Sequence, residues 1–116
     1  VHFSGHGNTH AVIHQEWLVV QNTGYLIAGK LYYPGDSFHN PEKAIEILAL
    51  PVAGPWMKVS EAIDFAIRVA PKIIFPVHDG GLNEKGSGFA KRVVPSITQK
   101  HGIVFADLEI GKETEF

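Results

Sequence analysis

No cysteine occurs in the 116 residues, so the fold uses no disulfide and any metal site must draw on His, Asp, Glu or water. That absence suits a reducing, cytoplasmic setting. There is no basic run, and the formal net charge is only −2. This removes the electrostatic footprint expected of a nucleic-acid partner or of binding to an anionic membrane. No apolar stretch approaches the ~20 residues that span a bilayer. The opening Val1-His2-Phe3-Ser4-Gly5 has neither the basic segment nor the apolar core of a signal peptide. Internal repeats, low-complexity tracts and linkers are missing too.

What is present is an ordinary globular composition, 45% apolar and 19% charged, in a chain long enough for one core. A single domain over residues 1–116 is expected. Its opening reads as the middle of a strand and has no initiator methionine, so a cut from a longer chain is expected as well.

The first third is β-rich. Val1 to Gly5, Ala11 to Gln15, Tyr25 to Ala28 and Lys30 to Tyr33 are short strand-like runs, with a hairpin turn at Ala28-Gly29-Lys30. Ile45 to Val52 suits a strand covered on both faces. Ser60 is placed to cap a helix carrying Ile63, Ala66, Ile67 and Ala70 on one side, and Pro71 stops it. Ile73-Ile74-Phe75 is a buried strand. Ala90 to His101 reads as a helix with Val93, Val94 and Ile97 inward, Pro95 at its start or at a kink, and Gly102 as terminator. Ile103 to Ile110 reads as a last strand, and Gly111 to Phe116 as a frayed tail. The alternation of strand and helix in the second half argues for an α/β (α+β) layer, a mixed sheet with helices on one face.

Two phrases carry the chemistry. Pro34-Gly35-Asp36-Ser37 and Pro76-Val77-His78-Asp79-Gly80 each follow a β-branched or apolar run, where a sheet can hold an aspartate and a histidine still. A third source is Thr9-His10-Ala11-Val12-Ile13-His14. Together they offer nitrogen and carboxylate donors from three elements, and zinc needs about three or four. Plainer readings exist for each. Pro-Gly-Asp-Ser is good turn chemistry, and a lone histidine after a strand is commonly a surface residue. His2, His6, His10 and His14 are four apart, yet Gly5, Gly7 and Asn8 break any helix there, so His2 and His6 read as surface residues. On a strand His10 and His14 would share a face, leaving His14 able to line the cleft as a substrate contact. Asp79 would orient His78 or a neighbouring ligand. No Gly-x-Ser-x-Gly elbow or phosphate loop is present, and Trp17 and Trp56 read as core or rim.

These phrases resemble the second half of the metallo-β-lactamase superfamily. So do Gly24-Tyr25-Leu26-Ile27, the stretch Leu48 to Trp56, and Ser60-Glu61-Ala62-Ile63. The resemblance is strongest to the cytoplasmic metal-dependent hydrolases related to ascorbate-6-phosphate lactonase. It implies the C-terminal half of an αβ/βα sandwich, with His10, Asp36 and His78 as metal ligands and His10 favoured over His14. It also implies one or two zinc (or manganese) ions, and a metal-bound hydroxide, held in part by a catalytic Asp36, that attacks a lactone, ester or phosphoester of a small-molecule substrate. The superfamily's main ligand motif, His-x-His-x-Asp-His, occurs nowhere in this sequence. The resemblance therefore implies half a site, and a chain inactive alone. Its apolar strands should seek a partner, either a second copy in a homo-oligomer or the missing N-terminal half. The alternative is a metal-free folding or oligomerisation module.

Overall fold

The structure, a computed structural model, describes residues 1–116. Six strands follow one another across a single sheet in chain order: β1 Phe3–His6, β2 Gly24–Ile27, β3 Leu31–Tyr33, β4 Ile47–Pro51, β5 Ile73–Val77 and β6 Val104–Phe105. The first three pair antiparallel and β3 to β6 pair parallel. Helices α1 (Val59–Val69) and α2 (Glu84–Thr98) fill the β4–β5 and β5–β6 crossovers. The expected mixed α/β layer is what forms.

Register separates the two faces of the sheet. Leu26, Tyr32, Leu48, Leu50 and Ile74 lie on one face and are buried in a cluster with Ala62, Ile63, Phe65, Ala66 and Val69 of α1 and Ala90 and Val94 of α2. Phe3, Tyr25, Ile27, Leu31, Ile47, Ile73, Phe75 and Val104 share the other face. No helix covers it. At its flanks Phe3 is 59%, Tyr25 47% and Val104 61% exposed, while Phe116 of the tail stacks on Phe75. Both helices therefore cover one face, as the sequence suggested.

Several expectations fail for local reasons. Ala11 to Gln15 forms no strand: the Ala11 N–H goes to the Asp36 carbonyl and the stretch lies in a loop whose neck is the Thr9–Gln21 bridge. A β-prone sequence without a ladder partner stays a loop. Helix α1 starts at Val59, with Lys58 at the N-cap. The Glu61 carboxylate accepts the Lys58 backbone N–H at 2.7 Å, and Ser60 makes no cap. Ala70 is the left-handed C-cap, φ 52°, and is exposed.

Helix α2 begins six residues earlier than expected, capped by the Asn83 side chain on the Gly86 N–H. It runs through Pro95, buries Ala90, Val94 and Thr98, and leaves Ile97 exposed. The last strand stops at Phe105. Val104 donates to the Lys72 carbonyl and Ala106 to the Ile74 carbonyl, and in this register the next rung needs an N–H from Pro76, which has none.

Candidate active site

Strands β1, β3, β4 and β5 all run in the same direction, so their C-terminal ends meet at one edge of the sheet. In open α/β sheets this is the edge where ligands bind. His10 follows β1, Asp36 follows β3, Trp56 follows β4 and His78 follows β5. Their positions at this edge come from topology before any side-chain contact is considered.

The side chains then converge. Asp36 Oδ1 lies 3.0 Å from His78 Nε2, and Asp36 Oδ2 lies 3.6 Å from His10 Nε2. Fractional side-chain exposures of 17% for His10, 30% for His78 and 35% for Asp36 leave the group open to solvent on one side. His10 Nδ1 sits 2.5 Å from the Ala11 carbonyl oxygen. A carbonyl can only accept, so Nδ1 carries the proton in the neutral ring and the Nε2 lone pair faces Asp36. This is how a ligating histidine is usually oriented. Behind it the His10 ring meets Trp56 edge-on at 6.3 Å, and Trp56 packs on Phe38 at 4.8 Å. Trp56 is buried and Trp17 exposed.

His78 has φ 67°, a left-handed conformation that is uncommon outside glycine. Such strain persists where surrounding structure imposes it, often at a functional position. The turn presenting Asp36 is built with similar economy. Gly35 has φ 71°, and a Cβ there would lie 2.4 Å from Asn22 Oδ1. Asn22 Oδ1 accepts the Asp36 N–H at 2.9 Å, while its Nδ2 donates to the Pro34 carbonyl at 2.9 Å. Sequence reasoning missed Asn22. Its only local signal is a polar residue just before Gly24-Tyr25-Leu26-Ile27.

His14 lies outside the cluster. It is exposed, its Nδ1 accepts the Glu16 N–H, and its carbonyl accepts the Trp17 N–H; the loop that replaces the expected strand sets it there. No hydrogen bond joins the Asp79 carboxylate to His78; Asp79 instead lines a shallow cleft with Asn83, Ser87 and Lys91. His6 is half-buried, its ring edge-on to Tyr32 at 6.1 Å. Burial, then Lys43 and His39, hold its pKa below the usual 6.5. His2 is exposed, as expected.

The donor chemistry of His10, Asp36 and His78 fits a divalent cation in type. It does not close around one: no group of three or more His, Asp or Glu side chains in the chain is arranged to hold a metal ion by itself.

A family model described as "Beta-lactamase superfamily domain" matches residues 1–78, well over half of the chain. The chain belongs to the beta-lactamase superfamily. Protein Rv0786c of Mycobacterium tuberculosis is 43% identical over 77 residues, covering 62% of this chain and 36% of that protein. Among solved structures, Igni18, a metallo hydrolase of the archaeon Ignicoccus hospitalis, superposes with a TM-score of 0.61 at 19% identity. It covers 95% of this chain and 50% of its own. A putative metal-dependent hydrolase of Parabacteroides distasonis gives a TM-score of 0.55 at 26% identity, over 76% of this chain and 40% of its own. The fold is metallo-β-lactamase-like, and this superfamily member spans half or less of each of these relatives. No helix in it is long and apolar enough to cross a membrane.

Proposed function

We propose that the chain carries one side of the active site of a metal-dependent hydrolase. The observation that carries this reading is the Asp36 carboxylate set between His10 Nε2 and His78 Nε2, on three loops at one sheet edge. These three residues would hold a divalent cation, zinc or manganese, with further donors supplied from outside this chain. When bound, such an ion lowers the pKa of water towards ~7 and polarises the bond to be cleaved. In this reading Asp36 would orient the attacking water. The Ala11 carbonyl on His10 Nδ1 would leave the Nε2 of that ring free for the ion.

A lactone, ester or phosphoester of a small metabolite is the substrate class this reading favours. The resemblance to lactonase-like hydrolases supports it. The metallo hydrolase descriptions of the two structural relatives support the metal, and the absence of cysteine supports a cytoplasmic setting. The uncovered sheet face supports a partner, in the form of a second layer or a second copy.

The test is a zinc titration followed by NMR. The imidazole signals of His10 and His78 should shift together, with weak affinity, and Asp36→Ala should abolish the joint shift. Independent shifts at all seven histidines, or a response untouched by Asp36→Ala, would favour the metal-free module. The chain alone is expected to be inert towards lactones and phosphoesters; metal-dependent turnover lost in Asp36→Ala would show the donor set to be sufficient.

A further inference from the structure

We infer that Asn22 is the positioning residue for Asp36, fixing where its carboxylate points without touching it. The inference rests on the metal-site reading above and names a residue which that reading does not use.

The assignment of the Asn22 amide follows from its partners. The Asp36 N–H can only donate, so the atom 2.9 Å from it is Oδ1; the Pro34 carbonyl can only accept, so the atom 2.9 Å from it is Nδ2. Nδ2 also lies 3.3 Å from Ser37 Oγ, a hydroxyl that itself reaches back to the Pro34 carbonyl. One side chain therefore grips the Pro34–Ser37 turn at three points, from a segment more than ten residues away in the chain. An asparagine meets this demand because it offers an acceptor and two donors on one short plane; aspartate would set an oxygen against the Pro34 carbonyl.

The other side of the Asp36 peptide is held as well. Its carbonyl accepts the Ala11 N–H at 2.8 Å, so the residue after His10 and the side chain of Asn22 clamp Asp36 from opposite ends. Asn22 and His10 sit on the two sides of one loop neck. Closing that neck are the His10 N–H on the Val20 carbonyl, the Asn22 N–H on the Asn8 carbonyl and the Thr9–Gln21 bridge. The neck thus couples two donors, His10 by its own backbone and Asp36 through Asn22. Gly35 completes the fit, since any Cβ would strike Asn22 Oδ1.

The experiment uses the full 116-residue chain, with Zn2+ as the probe, and Asn22→Ala beside the near-isosteric Asn22→Asp. Two quantities are read: amide hydrogen exchange at Asp36 compared with Leu48 and Ile74, and zinc affinity from the NMR titration. Asn22→Ala should speed exchange at Asp36 by about tenfold or more, leave Leu48 and Ile74 unchanged, and weaken zinc binding about tenfold, the scale of lost support for a ligand. Asn22→Asp, which keeps an acceptor for the Asp36 N–H, should fall between wild type and Asn22→Ala. Exchange that rises equally at all three amides makes Asn22 a general stabiliser and overturns the inference. So does zinc affinity within twofold of wild type in both variants. Zinc binding that is absent, or indifferent to Asp36→Ala, removes the metal-site reading itself and this inference with it, an outcome recognised without any Asn22 variant.

Discussion

Asp36 and His78 meet at 3.0 Å although 41 residues, a strand, a helix and a second strand separate them in the chain. Each is about one-third exposed, so the pair itself should add no more than about 1 kcal/mol to stability. The backbone of His78, at φ 67°, costs on the order of 1–2 kcal/mol for an L residue. His78→Gly is therefore expected to be more stable than His78→Ala by about 1 kcal/mol, while both lose the zinc response. Urea denaturation of the two variants checks this; equal midpoints would mean that position 78 relaxes out of the left-handed region.

Asp36 and His78 stood out in the sequence because each follows an apolar run inside a phrase that resembles the superfamily, and the structure brings the two side chains together. The sheet that supports them could be read as well, since Ile45 to Val52 and Ile73 to Val77 are apolar on both faces. Tertiary partners escaped that reading. Asn22 contacts residues 12 to 15 positions away, which no local pattern encodes. Helix α2 starts at Glu84 across Gly86 and Gly88, residues of poor helix propensity; the Asn83 cap and the burial of Ala90 and Val94 outweigh that cost. The last strand ends early through a proline on its neighbour, a feature of strand register that appears only once the strands are paired.

Gly35→Ala should be among the most damaging single-methyl additions in this chain. The residue has φ 71° and its new Cβ would fall 2.4 Å from Asn22 Oδ1, inside van der Waals contact with a side chain held by three hydrogen bonds. A cost of about 2 kcal/mol or more is expected from backbone strain and steric contact together. The control is Gly29→Ala, which also has a positive φ, 66°, but meets nothing within 4 Å. Gly35→Ala should lie below Gly29→Ala in thermal stability. Equal losses would mean that Asn22 gives way freely and does not clamp the turn.

Tyr32 supplies a pH prediction. It is fully buried, its hydroxyl donates to the His39 carbonyl at 2.8 Å, and burial pushes its pKa from 10 up to about 12. Between pH 10 and 12 the unfolded chain releases this proton while the folded chain keeps it, so stability is intact below pH 10 and falls as pH rises through the window. The loss should approach about 2–3 kcal/mol by pH 12. Tyr32→Phe should start lower by about 1 kcal/mol for the missing hydrogen bond and lose less stability over the same window. A wild-type and Tyr32→Phe pair with parallel stability profiles from pH 9 to 12 would contradict the assignment.

The sheet face turned away from the helices is the last feature with a measurable consequence. Phe3, Tyr25, Ile27, Leu31, Ile47, Ile73, Phe75 and Val104 share it, and its flanks are open to water. Contiguous apolar surface beyond a few hundred Å² is uncommon on a soluble monomer. Phe116 covers Phe75 but leaves Phe3, Tyr25 and Val104 free. In the absence of another polypeptide, the chain should self-associate through this face at micromolar concentration, burying on the order of 1,000 Å² or more. Sedimentation velocity should show a species heavier than 12.7 kDa. Tyr25→Lys together with Val104→Lys should return it to monomer without unfolding it, because neither side chain belongs to the buried cluster under the helices. A wild-type chain that sediments as a well-folded monomer would show that the Phe116 tail is cover enough. A lysine variant that still associates would move the contact to the exposed loop carrying Trp17 and Leu18.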